Sequence, residues 1–140
     1  MASGPSARRL AGDPPSPWEE LYGYSRVVCA GPWVMIGGTT SVDPSGAVVG
    51  ATPREQATEI FRKLRGELSR VGLGVADVVQ VRMYVTDISR ADEVGRVHGA
   101  VFGGLSGGGP VTTMVEVSGL IDPRMLVEIE LVAHRDPAAP

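Results

Sequence analysis

Between Thr52 and Gly72 the chain encodes one helix with a single apolar stripe, and no other segment restricts the fold as strongly. Thr52-Pro53-Arg54-Glu55 has the form of a capping box with proline at the first helical position. The Thr52 hydroxyl can accept from the Glu55 N–H, and the Glu55 carboxylate can reach back. Ala57, Ile60, Phe61, Leu64, Leu68 and Val71 then recur on one face, and Gly72 supplies the stop. Such a stripe is stable only when it lies on another apolar surface. The flanking segments offer a sheet.

Val27–Ala30 and Trp33–Thr39 are apolar runs split by Gly31-Pro32, and Asp43-Pro44-Ser45-Gly46 is a turn before Ala47-Val48-Val49. An antiparallel meander is expected there. Residues 78–86 alternate, with Val79, Val81, Met83 and Val85 opposing Val78, Gln80, Arg82, Tyr84 and Thr86. Ser89 is placed to cap a second helix running to about Phe102, with Val94, Val97 and Val101 inward and the glycine-rich run 103–109 ending it. Two more strands follow. Over residues 111–117, Val111, Thr113, Val115 and Val117 share the face expected under the helices, opposite Thr112, Met114 and Glu116. Over residues 126–133, Val127, Ile129, Leu131 and Ala133 oppose Leu126, Glu128, Glu130 and Val132.

These elements predict an α+β fold: a single, mostly antiparallel sheet with two helices packed on one face. Residues 18–134 form the one domain, between flexible tails at 1–17 and 135–140 that are rich in Pro, Ser, Ala and Gly. Two helices leave the second side of the sheet bare. That side is expected to carry Arg82, Tyr84, Thr112, Met114 and Glu128, too apolar for bulk water and too polar for a core. Other subunits are expected to cover it.

Several chemistries can be set aside. The formal charge of −3 gives no general attraction to phosphate backbones or anionic membranes, so neither nucleic acid nor membrane is an expected partner. Lys63 is the only lysine, which removes most candidates for a Schiff-base amine. Cys29 is alone, and no Cys/His spacing builds a metal site, so no metal or other cofactor is expected. No stretch approaches the roughly 20 apolar residues of a membrane span. A cytoplasmic location follows as the expectation. Gly104-Leu105-Ser106-Gly107-Gly108 fits Gly-x-Ser-x-Gly literally, but a nucleophile elbow needs a strand before it and a helix after it, and the order here is reversed. His98, among apolar helix positions, reads as a packing residue.

Glu128 is the strongest acid-base candidate, because a strand-borne carboxyl beside Leu126 and Met114 can have a raised pKa. It reads equally well as an ion-pair partner of Arg82 or Arg124. On pattern alone Tyr24 is a core aromatic.

The segment Gly109-Pro110-Val111-Thr112-Thr113-Met114-Val115-Glu116-Val117, followed by Val127-Glu128-Ile129-Glu130, resembles the C-terminal signature of the Rid superfamily. These are the reactive intermediate deaminases, or YjgF family, in whose best-known members the motif reads Pro-x-Arg-(Ser/Thr)-x-Val-x-Val. The resemblance spans about Tyr24 to Ala133. It implies a YjgF/chorismate-mutase-like fold and a homotrimer with small-molecule clefts between subunits. By the same resemblance Tyr24 matches the cleft tyrosine and Glu128 the glutamate that holds the attacking water, which names these two as catalytic candidates. Gly37 falls where the deaminases have a cleft serine, and Thr112 where they have the arginine that binds the substrate carboxylate. With Met114 and Arg82, these are the substrate-binding candidates.

A guanidinium grips a carboxylate through two parallel charge-assisted bonds, worth about 1.5–3 kcal/mol each, which a threonine hydroxyl cannot replace. Affinity for 2-imino acids is therefore expected to fall by orders of magnitude unless another cation serves. Arg82 is the candidate, with an ion pair to Glu116 or Glu128 as its other reading. The expected function is binding of a small carbonyl, imine or enamine metabolite, with hydrolysis or tautomerisation. The alternative is a non-catalytic metabolite-binding or interaction protein on the same scaffold.

Overall fold

The computed structural model describes residues 7–136. The elements, in chain order, are β1 (Arg8–Leu10), α1 (Pro17–Tyr22), β2 (Val27–Ala30), β3 (Trp33–Thr39), α2 (Pro53–Arg70), β4 (Val78–Val85), α3 (Ala91–Phe102), β5 (Val111–Glu116) and β6 (Val127–His134). The strands form one six-stranded sheet in the order β1-β2-β3-β6-β4-β5. All neighbours are antiparallel except β4 and β5, which are parallel and joined through α3. The sheet is thus mixed, and among the described residues the α-helices number three.

The α2 stripe is seated as its spacing requires, with Ala57, Ile60, Phe61, Leu64 and Leu68 buried against Val34, Ile36, Val81, Met83, Ile129 and Leu131 of the sheet. Thr52 Oγ1 accepts from Glu55 N at 3.1 Å, but the Glu55 carboxylate reaches Ala51 N instead of Thr52 N, so the box closes one residue early. The second helix departs in a similar way. Its entry is a 3₁₀ turn over Ile88–Arg90 capped by Asp87, which accepts from Ser89 N and Ser89 Oγ. A carboxylate takes two donors where a hydroxyl would take one, and Ser89 becomes a donor to the cap. Phe102 packs edge-on to Phe61 at 5.8 Å and ties α3 to α2.

Lys63 is a fastener in this layer: its Nζ donates to the carbonyls of Thr40 and Val42 at 2.6 and 2.8 Å. Burial pushes its pKa down. A second fastener is Gln56, 1% exposed, which bonds Gly50 O, Arg124 O and Leu126 N and so ties α2 to the loop that feeds β6.

Three further expectations fail in detail. The tail expected to be loose over 1–17 contributes β1, which pairs with β2, and Glu19, just 6% exposed, accepts from Gly12 N and Ser16 N to pin the connection. The ends at 1–6 and 137–140 lie outside the described residues. Val78 and Val79 exchange roles, since a bulge opposite Val132 and Ala133 turns Val78 inward and leaves Val79 39% exposed. The third failure concerns β5 and bears on the site.

Candidate functional site

Strand register decides which side chains can meet, because paired residues on neighbouring strands project from the same side. Tyr84 pairs with Glu128 and Arg82 with Glu130, whereas Met83 pairs with Ile129 and Val81 with Leu131. Met83, Val81, Ile129 and Leu131 are buried under the helices, so Arg82, Tyr84, Glu128 and Glu130 stand on the open side. This agrees with the alternation of β4 and β6. In β5, Thr112 pairs with Val81 and Met114 with Met83, while Thr113 pairs with Arg82 and Val115 with Tyr84. The expected phase of β5 is therefore inverted: Thr112 and Met114 face the helix layer, and Val111 and Val115 lie on the open side, 67% and 43% exposed. Within one chain, Thr112 and Met114 do not meet Glu128 or Arg82.

Thr112 has a partner on its own side. Its Oγ1 lies 2.8 Å from His98 Nε2, and the imidazole sits between Phe102 and Phe61, with ring centroids at 4.7 and 6.1 Å. Burial pushes the His98 pKa down, so the ring is neutral at physiological pH and its nitrogen can accept from the threonine hydroxyl. His98 is thus the packing residue its sequence position suggested, with one polar contact at the edge strand.

On the open side the charges sort themselves. Tyr84 OH donates to Glu130 Oε1 at 2.5 Å, and Arg82 Nη1 stands 3.7 Å from the same oxygen. Arg124 pairs with Asp122, whose carboxyl it holds at about 2. Glu116 accepts from Ile88 N. Glu128 is left with no ion pair among the described residues. Both paired readings of Glu128 are thereby answered: Arg82 goes to Glu130 and Arg124 to Asp122. Burial pushes the Glu128 carboxyl above the usual range, the nearby Arg26 charge opposes this, and Glu130 adds to it.

The ground beneath Glu128 is a bulge in β3. Between the pairs Ile36↔Leu131 and Thr39↔Ile129, β3 spends one residue more than β6, and the extra length falls on Gly37-Gly38. A methyl group on Gly38 would overlap Glu128 Oε1, so glycine is what admits the carboxyl to this position. A methyl group on Gly37 would lie 3.0 Å from Arg26 Nη2. Arg26 itself extends the β2–β3 ladder, its carbonyl accepting from Gly37 N at 3.1 Å, and its Nη2 donates to Gly38 O at 2.8 Å. Tyr24 is two residues earlier, 44% exposed, with its backbone N bonded to Glu19 O. Beside this group, Met35, Gly37, Gln80, Arg82, Glu130 and Val132 line a shallow concavity of about 140 Å³.

The structure therefore brings Glu128, Gly37, Gly38 and Arg26 together, with Arg82 across β6, and places Thr112 and Met114 on the other side of the sheet. Arg26 and Gly38 were missed in sequence. The available signal was their adjacency to the Tyr24 and Gly37 positions. Among the described residues no group of three or more His, Cys, Asp or Glu side chains could hold a metal ion, and no helix is long and apolar enough to cross a membrane.

A mixed sheet with two long helices on one face, and on the other a carboxyl without an ion pair over a glycine bulge, places the chain among small α+β domains. The profile of the family described as Endoribonuclease L-PSP matches residues 17–135, and the chain belongs to this family, which is the YjgF/Rid family. An uncharacterized protein of Streptomyces coelicolor, SCO2049, is 36% identical over 120 residues, covering 86% of this chain and 87% of that one. Rv2704 from Mycobacterium tuberculosis, a YjgF/YER057c/UK114 family member of solved structure, is 43% identical with a TM-score of 0.78, over 92% of this chain and 99% of that one. The Rid family protein YyfA from Yersinia pestis has a TM-score of 0.80 at 22% identity, over 92% and 99% of the two chains, and supports the fold alone.

Proposed function

We propose that this protein binds a small carbonyl, imine or enamine metabolite against the open side of its sheet and hydrolyses or tautomerises it, in clefts that neighbouring copies complete in a homotrimer. The observation that carries this reading is Glu128, a half-buried carboxyl with no ion pair among the described residues and a raised pKa. Such a group can take a proton from water and return it to a bound compound. As the carboxylate it accepts a proton from water while the water oxygen bonds to the imine carbon. The nitrogen takes up the proton held by Glu128 and then the one released from the new hydroxyl, the C–N bond breaks as the C=O forms, and ammonia leaves a carbonyl compound. Tyr24 is the candidate to donate a hydrogen bond to the charge that develops. No metal or cofactor has a part in this scheme, and the cytoplasm is its proposed setting.

The homotrimer is supported by the apolar side chains on the open side, where Trp33 is 46%, Val111 67% and Val115 43% exposed. No nucleic-acid partner is proposed, since the chain carries a net charge of −3 and the carboxylates of Glu128 and Glu130 stand on the same face. A second reading, metabolite binding without turnover, is favoured by one observation: Thr112 stands where the deaminases have their arginine, and its hydroxyl is engaged with His98.

The test adds the purified protein to a dehydratase reaction that releases 2-iminobutyrate and follows 2-oxobutyrate formation, with Glu128→Gln and Thr112→Arg alongside. Acceleration by wild type that Glu128→Gln abolishes is the expected result. No acceleration by wild type, with gain in Thr112→Arg, would favour the second reading. Sedimentation equilibrium should return three times the chain mass, and a monomer mass refutes the shared cleft.

A further inference from the structure

The cation whose charge acts on Glu128 is Arg26, neither of the arginines that the sequence suggested. Arg26 has five N–H donors, and among the described residues only Nη2 is seen to use one, on Gly38 O. Its Nε is buried without a hydrogen-bond partner. A buried guanidinium N–H with no acceptor is costly and calls for an explanation. Two carboxylates feel the Arg26 charge, Glu19 and Glu128, yet neither closes to an ion pair with it. Glu19 is committed to the Gly12 and Ser16 amides. Lys63, fixed on its two carbonyls, adds a second positive charge close enough to depress its own pKa through Arg26. Neither cation closes an ion pair among the described residues, so Arg26 keeps donors that no carboxylate of the chain takes.

Gly37 and Gly38 make the arrangement possible. A side chain at Gly37 would press on Arg26 Nη2 and one at Gly38 would displace the Glu128 carboxyl, so the two glycines keep a guanidinium and a carboxyl on one floor. A ligand complementary to that floor carries an anionic group at one end and, a bond or two away, a carbon that exchanges water or protons with Glu128. Small 2-oxo and 2-imino acids have this shape.

We propose that Arg26 is the anion anchor of this protein's ligand site, gripping a carboxylate of the ligand over Gly37-Gly38 and orienting its carbonyl or imine carbon toward Glu128. The assignment rests on the reading that the open side binds a small carbonyl or imine compound. It gives Arg82 no role in the grip, since Arg82 stands against Glu130.

The experiment is calorimetric titration of the intact protein with 2-oxobutyrate and with butan-2-one, its analogue without the carboxylate. Wild type, Arg26→Lys, Arg26→Gln and, as a surface control, Arg96→Gln are compared after their circular dichroism spectra are shown to match. Arg26→Gln should weaken 2-oxobutyrate at least tenfold, Arg26→Lys should fall between, and Arg96→Gln should match wild type. Equal binding of 2-oxobutyrate by wild type and Arg26→Gln overturns the anchor, and so does a wild type that binds the acid no better than the ketone. The iminobutyrate assay separates the two claims. Turnover that survives in Arg26→Gln removes the anchor and leaves the hydrolase reading, whereas Arg26-dependent binding without turnover does the reverse.

Discussion

Replacing Gln56 tests whether the register of β6, and with it the position of Glu128, is held by hydrogen bonds from α2. The side chain is 1% exposed and makes three bonds: Nε2 to Gly50 O at 3.1 Å, Nε2 to Arg124 O at 2.9 Å, and Oε1 from Leu126 N at 2.8 Å. A net contribution of about 0.5–1.5 kcal/mol per bond gives a lower estimate, while each buried group left without a mate costs about 1–3 kcal/mol. Gln56→Leu keeps most of the volume and strands all three partners, so a loss of about 3–5 kcal/mol is expected once partial hydration of the loop carbonyls is allowed for. That is a large fraction of the roughly 5–15 kcal/mol by which a domain is stable. Urea unfolding at matched protein concentration reads it as a lower midpoint at unchanged slope. Gln56→Ala should be about as unstable as Gln56→Leu, since restoring volume does not restore the bonds. If Gln56→Leu lies within about 1 kcal/mol of wild type, packing and not the amide holds the junction, and the argument fails.

Glu128 should leave a mark on stability against pH. Its folded pKa is raised, so between the unfolded and folded values the folded state holds the proton more tightly, and stability falls as pH rises through that window. Glu128→Gln should flatten this slope and be the more stable protein at neutral pH, as read from urea midpoints; an unchanged slope would sink the assignment. Gly38→Ala meets only the flexible end of Glu128, so unfolding should shift by about 1 kcal/mol or less while imine hydrolysis falls more than tenfold. Turnover equal to wild type would mean that Gly38 does not set the carboxyl's position. Subunit mixing addresses the shared cleft: Glu128→Gln and Thr112→Trp should each be inactive alone. Randomly mixed trimers should recover about a quarter of the wild-type sites if each cleft draws Glu128 from one chain and Thr112 from the next. No recovery above the separate variants counts against the shared cleft.

The parts of the fold legible in sequence are those where one force acts. The α2 stripe and the β6 alternation have a single covered face each, and Ala57 to Leu68 and Val127 to Ala133 are buried as their spacing requires. β1 was illegible because Arg8-Arg9-Leu10 has no alternation to read; its pairing is a matter of backbone groups meeting β2. Asp87 took the cap from Ser89 because local competition between two good capping residues is settled by geometry that spacing does not encode. Gln56 gives no signal in the apolar spacing of α2, because its value lies in bonds to residues about seventy positions away.

The inversion of β5 is the most consequential of these differences. Val111, Val115 and Val117 form the better apolar set, and alternation alone assigns them to the core. Register with β4 instead turns Val111 and Val115 to the open side and Thr112 to His98. An edge strand can place its valines outward only if exposed apolar surface is tolerated or if another chain covers it, and period-two alternation is identical in both cases. The same inversion separates the Thr112 position from Glu128 by the thickness of the sheet within one chain. A site that uses both must take them from different copies, whereas a site built on Arg26, Gly37, Gly38 and Glu128 draws its anchor and its acid-base group from one. The loss of arginine at position 112 would then remove a contact from across a subunit boundary while leaving within each chain a cation already beside the carboxyl.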